Sequence, residues 1–122
     1  MIKIFTLLAS AMFTFSLVAQ PTSYVKLNET AKEFKDQSRL VYLETIGKSV
    51  EGRDIIAIHF SKSGLGVDET KIKVLIHSQQ HGNEQSGKEG ALMLVKELVK
   101  AEYSYLFDRI DLVVVPQINP DG

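Results

Sequence analysis

Cysteine and tryptophan are absent from these 122 residues, and proline occurs only three times. Without cysteine the chain can hold no disulfide scaffold, no thiolate zinc knuckle and no cysteine nucleophile. A charge excess of one sign is missing too: 14 Lys+Arg stand against 15 Asp+Glu, a formal net charge of −1. A protein that grips nucleic acid electrostatically carries a basic patch or a high pI, so no nucleic-acid partner is expected. Internal repeats and low-complexity stretches are also lacking. What remains, 44% hydrophobic and 24% charged, is ordinary for a globular domain and excludes collagen-like, coiled-coil and wholly disordered classes. The length allows one domain at most.

One long hydrophobic run is present, and it stands at the start. Met1-Ile2-Lys3 supplies a positive charge, Ile4 to Phe15 is largely apolar, and Ser16-Leu17-Val18-Ala19 ends on a small residue before Gln20. This three-part layout predicts a secretory signal peptide over residues 1–19, with the mature chain starting at Gln20. An uncleaved anchor is the competing reading, because the run is only slightly short of a membrane span. Polar, turn-forming Gln20-Pro21-Thr22-Ser23 without a basic stop-transfer cluster favours cleavage. The expected location is therefore secreted or periplasmic, with no stable membrane insertion after cleavage.

The rest alternates between helix and strand. Asn28 is a candidate cap for a short helix to about Ser38, with Leu27, Ala31 and Phe34 on one side. Val41 to Ile46 and Asp54 to Phe60 read as an antiparallel hairpin around the turn-like Ser49-Val50-Glu51-Gly52-Arg53. Ser61 to Thr70 reads as a surface connection. Val74-Leu75-Ile76 and Leu112-Val113-Val114-Val115 are apolar runs that suit strands covered on both faces. Between them, Ser86 to about Ala101 shows an apolar stripe of Leu92, Val95, Leu98 and Val99, opened by a Ser86/Glu89 capping-box pattern. Strand, helix, strand at this spacing predicts a βαβ unit with a parallel pairing.

Chemistry concentrates where the third strand ends, in His77-Ser78-Gln79-Gln80-His81-Gly82-Asn83-Glu84-Gln85. Open α/β sheets bind ligands at the carboxyl ends of their parallel strands. His81 offers an imidazole nitrogen and Glu84 a carboxylate, both good zinc ligands, and a tight turn lets them converge. Gly82 suits a sharp turn at that point. A polar loop with a carboxylate favouring a helix start accounts for the same residues, so His-x-x-Glu alone leaves both readings open. Four other residues have blander readings. His77 suits packing or support of a ligand, and His59 the surface or a sheet face. Arg53 suits a turn-stabilising ion pair, and Asp121 a bond to its own backbone.

Three segments, in order, resemble the zinc carboxypeptidases of the carboxypeptidase A type. Ile46-Gly47-Lys48-Ser49-Val50-Glu51-Gly52-Arg53-Asp54-Ile55 is similar to an early hairpin carrying Gly-x-Ser-x-Glu-Gly-Arg. His81-Gly82-Asn83-Glu84 matches the family's His-x-x-Glu zinc motif. Gln117-Ile118-Asn119-Pro120-Asp121-Gly122 is similar to its Asn-Pro-Asp-Gly turn. The resemblance, from about Val41 to Gly122, implies an α/β fold with a mixed, mainly parallel sheet and helices on both faces, incomplete in this chain. It implies Zn2+ as cofactor, a peptide or protein as substrate, and His81 and Glu84 as two of three metal ligands. The third ligand, a histidine, and the glutamate general base fall downstream in the family. No catalytic residue is therefore assigned here, and residues 20–122 are expected to be the amino-terminal portion of a catalytic domain, inactive alone. Two alternatives stand beside this: a deacylase of the succinylglutamate desuccinylase or aspartoacylase kind, and a non-catalytic binding module on the same fold.

Overall fold

A computed structural model describes residues 20–122; the expected signal peptide lies outside the described residues. The first helix, α1 (Tyr24–Gln37), starts a turn earlier than the sequence suggests. Ser23, in extended conformation, is the cap, and its Oγ accepts the Lys26 N–H at 3.2 Å. Ser and Asn are about equally good caps, so the alternative start cost little to form, and Asn28 lies inside the helix with its amide donating to the Tyr24 carbonyl. Starting at Tyr24 also adds an anchor, because the Tyr24 hydroxyl accepts the Asp54 N–H at 2.9 Å. The expected buried stripe of Leu27, Ala31 and Phe34 is present.

The hairpin forms as read. Strands β1 (Val41–Lys48) and β2 (Asp54–Phe60) pair antiparallel, Val41 opposite Phe60 and Lys48 opposite Asp54, with a register shift between Thr45 and Gly47. Gly52 closes the loop at φ +81, in the left-handed region that costs glycine nothing. Then come β3 (Ile72–His77), α2 (Gln85–Leu98), a 3-10 helix (Ala101–Asp108) and β4 (Ile110–Val115). The strand order is β1-β2-β4-β3, with β3 and β4 parallel and the other two pairings antiparallel. The sheet is mixed and open, as the α/β expectation requires.

The βαβ unit departs from expectation in its details. Glu84, not Ser86, occupies the cap position of α2, and no side chain bonds there. Glu89 is not available for a capping box, since its carboxylate accepts the Thr22 N–H at 2.7 Å and the Thr22 hydroxyl at 2.8 Å. The helix stops at Leu98, and the chain tightens into the 3-10 helix, which has no 3.6-residue stripe to announce it. That helix delivers fully buried Phe107, stacked on Phe60 at 5.1 Å between ring centroids.

The core lies on one sheet face. Ile58, Phe60, Leu112 and Val114 present it, and Phe34 from α1, Val95 from α2 and Phe107 pack onto it. Each such side chain contributes roughly 1.5–3 kcal/mol by leaving water. Among the described residues, helices cover this face alone. β3 is also not covered on both faces: it is an edge strand, and Leu75 keeps 65% of its surface exposed.

The opposite face is sealed at one end by the 61–71 connection. Asp111, at 0% exposure, accepts from Ser61 Oγ at 2.7 Å and from the Gly66 N–H at 3.1 Å, with Lys71 Nζ at 3.5 Å. Burial alone pushes the Asp111 carboxyl up, but those donors outweigh it and hold the pKa below the ordinary value. A depressed folded-state pKa means stability that is present above the unfolded value and lost as pH falls through the folded one. Asp111→Ala is expected to cost about 3–5 kcal/mol at neutral pH, because it strands buried Lys71. The loss relative to wild type should shrink in acid, below about pH 4. Denaturant titrations at several pH values check both. Gly90→Ala is expected to move the other way. Gly90 lies within α2 with open space around its Cα, so the substitution should stabilise by about 0.5–1 kcal/mol and raise the urea midpoint.

Candidate metal centre

The crevice beyond the carboxyl ends of β3 and β4 is built by continued pairing after the strands stop. The Ser78 N–H donates to the Val115 carbonyl, the Ile118 N–H to Ser78, and the Asn119 N–H to Gln79, at 3.0, 3.1 and 3.2 Å. Gln79 sits at φ +48, unusual for a side chain of its kind and a small store of strain. It is held there by burial to 2% exposure and by its amide, which donates to the Gly82 carbonyl at 3.1 Å. Sequence reasoning missed Gln79, since nothing in the residue type marks it.

The next residues turn back sharply, with the Glu84 N–H donating to the His81 carbonyl at 3.0 Å. This brings the two candidate ligands together. His81 Nδ1 and Glu84 Oε1 are 2.9 Å apart, and Glu84 Oε2 accepts the His81 N–H at 3.0 Å. The imidazole contact, then the His81 N–H, holds the Glu84 carboxyl below its ordinary pKa, so it is ionised at neutral pH. Both side chains are solvent-accessible, 68% and 50% exposed. A tetrahedral zinc ion with nitrogen and oxygen ligands at about 2.0–2.2 Å separates two donors by roughly 3.4 Å. The pair fits two corners of such a site after opening by a few tenths of an ångström. Among the described residues no group of three His, Cys, Asp or Glu side chains comes together to hold a metal.

Gly82 lies in the sharp turn, where no side chain fits. It has no positive φ; its constraint is close approach, since a Cβ there would run into the backbone of Gly122. His77 is exposed at the end of β3 and not packed as expected, because β3 is an edge. His59 does lie on a sheet face, but buried: it stacks on Tyr42 at 4.2 Å, with Nε2 3.0 Å from Glu44 Oε2. Burial pushes its pKa down, and Glu44 opposes that.

Arg53 and Asp121 do more than local service. Arg53 Nη1 donates to Asp121 Oδ1 and lies equally close to Glu51, both at 2.6 Å. Asp121 does not bond its own backbone; its other oxygen accepts the Glu51 N–H at 3.0 Å. The final turn is thereby tied to the hairpin loop.

Comparison with known proteins gives the family and the fold. The chain is 30% identical over 110 residues to a zinc carboxypeptidase of Saccharothrix mutabilis subsp. capreolus, a match covering 83% of this chain and 25% of that protein. It is 34% identical over 86 residues to carboxypeptidase E of Caenorhabditis elegans, covering 66% and 18%. Among solved structures, carboxypeptidase A of Helicoverpa armigera superposes with a TM-score of 0.71 at 32% identity, covering 84% of this chain and 25% of that one. A metallo-carboxypeptidase from Burkholderia cenocepacia gives 0.71 at 26% identity, covering 84% and 28%. The match thus spans between 18% and 28% of the length of these relatives. The zinc carboxypeptidase family profile matches residues 27–122, including most of α1 ahead of the three motif segments. The chain belongs to the zinc carboxypeptidase family and carries the amino-terminal part of its domain.

Proposed function

We propose that this chain is the amino-terminal part of an exported zinc carboxypeptidase, with His81 and Glu84 as two of its zinc ligands. The observation that carries the reading is the convergence of His81 Nδ1 and Glu84 Oε1 at the end of a parallel strand, in a chain of this family. When bound, zinc lowers the pKa of a coordinated water and polarises a peptide carbonyl. The contribution of this chain is to hold the ion. Glu84 supplies a carboxylate already ionised at neutral pH, and the exposure of both side chains leaves room for a further ligand, water and a peptide end. The third ligand and the glutamate that takes the proton from water belong, on this reading, to sequence after Gly122. Residues 1–19 direct export and are removed. Among the described residues no helix is long and apolar enough to cross a membrane.

In a protein extended past Gly122, His81→Ala or Glu84→Ala is expected to abolish stoichiometric zinc and nearly all release of carboxyl-terminal amino acids. Metal analysis after dialysis and an assay on peptides with free carboxyl ends check this. Residues 20–122 alone should bind zinc weakly and release nothing, because two ligands leave most of the ion to water. Tight one-to-one binding by residues 20–122 would mean that a further side chain, with His77 the nearest histidine in sequence, completes the site. Secretion is tested separately by amino-terminal analysis of exported material, which should begin at Gln20. Membrane-bound protein that retains Met1 would favour an anchor.

A further inference from the structure

His81 and Glu84 are exposed and bond chiefly to each other, so their position is set by the backbone beneath them. Among the described residues that backbone leans on the turn Asn119–Gly122, and from the start of α2 the Gln85 Nε2 also donates to the Gly82 carbonyl at 2.8 Å. Asn119 grips the approach to His81 twice, its N–H donating to the Gln79 carbonyl and its Nδ2 to the Gln80 carbonyl, each at 3.2 Å. Gln79 in turn bonds Gly82, and Gly82 abuts Gly122 with no room for a side chain. Two residues past Asn119, Asp121 is fixed from the far end of the chain by Arg53 Nη1 and by the Glu51 N–H. The hairpin loop that supplies these donors is itself closed by Ser49, whose Oγ accepts the Arg53 N–H and whose N–H donates to the Arg53 carbonyl.

We propose that Arg53 and Asp121 are positioning residues for the zinc site, acting through Asn119 to hold the His81–Glu84 turn in its ligating geometry. The inference rests on the proposed function and adds to it a requirement outside the ligands. Asp121, 17% exposed at its side chain, is gripped by two donors that converge from 68 and 70 residues away, which turns a flexible chain segment into a fixed abutment. An ion pair that served folding alone would contribute little to stability and would leave the site untouched. A pair that sets ligand position acts on metal retention, where groups that orient ligands typically contribute 10–100-fold.

The test uses the full-length protein, loaded with zinc, and reads the rate of zinc release to a chelator together with kcat, KM and thermal unfolding. Asp121→Ala is expected to speed zinc release roughly 10–100-fold and to lower kcat, with KM changed much less. Asn119→Ala should give a similar loss, and the double variant should be no worse than the poorer single, because both break one path. Arg53→Lys, which keeps the charge, should recover most of the wild-type retention that Arg53→Gln loses. Asp54→Ala, which removes the exposed Lys48–Asp54 pair of the same hairpin, should leave zinc release unchanged. If Asp121→Ala does not accumulate as folded protein, Arg53→Gln carries the same measurement at a more exposed residue. Unchanged zinc release in Asp121→Ala and Arg53→Gln, or full additivity with Asn119→Ala, overturns the positioning role while leaving the proposed function intact. A wild-type protein without stoichiometric zinc overturns both.

Discussion

The site depends on backbone hydrogen bonding that outlasts the strands. β3 and β4 pair in parallel from Ile72 opposite Ile110 to His77 opposite Val115. Parallel strands usually part company at their ends, leaving loops to diverge over a crevice. Here the ladder continues in irregular form through Ser78, Gln79 and Gln80 against Val115 to Asn119, and Ser78 Oγ adds a bond to the Pro116 carbonyl. Two loops that would otherwise move separately become one surface. The left-handed Gln79 is held within it by two bonds, its carbonyl accepting from the Asn119 N–H and its Nε2 donating to the Gly82 carbonyl, while its buried Oε1 has no partner, so the strain is spread over a network only in part. The His81–Glu84 turn sits on that surface and owes its direction to it.

Order within the rest of the described chain is uneven, and the unevenness follows the sheet. Side chains facing the helices are fully enclosed at the centre, as at Ile58, Phe60 and Val114, and partly enclosed toward the edges, as at Leu43, Ile56, Val74 and Ile76. On the other face, registration places Tyr42, His59, Val113 and Leu75 in one row across the four strands. Exposure along that row runs from 2% at His59 to 65% at Leu75. The row is closed at His59, partly open at Tyr42 (37%) and most open at Leu75 on β3, both on its face and along its unpaired edge, among the described residues. An open apolar edge favours association with another strand, so the part of the molecule nearest the candidate metal centre is also the part with the least packing behind it.

Much of this was legible from residue order. The ends of β2 follow from the sequence, because Ile56, Ile58 and Phe60 alternate with Ala57 and His59 and turn residues precede the run. His81 and Glu84 were legible as a pair, since a spacing of three in a turn brings side chains together whatever surrounds them. What stayed hidden was long-range. Asp111 looks like any strand-start aspartate until Ser61, Gly66 and Lys71 close over it from 40 to 50 residues away. Asp121 invites a local turn bond, yet the geometry gives it Glu51 and Arg53. Glu89 completes a capping-box pattern on paper, but Thr22 takes its carboxylate. In each case a polar group with a plausible local partner was claimed by a distant one that the tertiary fold brought nearer.

The same competition bears on how the pair at the crevice can act. His81 and Glu84 satisfy one another at 2.9 Å, so any cation entering between them replaces a charge-assisted hydrogen bond and strips water from two exposed groups. With only two donors, that exchange returns little. With a third protein ligand the ion's own desolvation is shared, and the gain rises steeply with how little the first two must move. The few tenths of an ångström between the observed separation and a tetrahedral one are small only while the turn beneath stays fixed. Rigidity of that turn, supplied by Gln79, Asn119 and the close contact of Gly82 with Gly122, is therefore what the proposed metal site would require of an otherwise common surface pair.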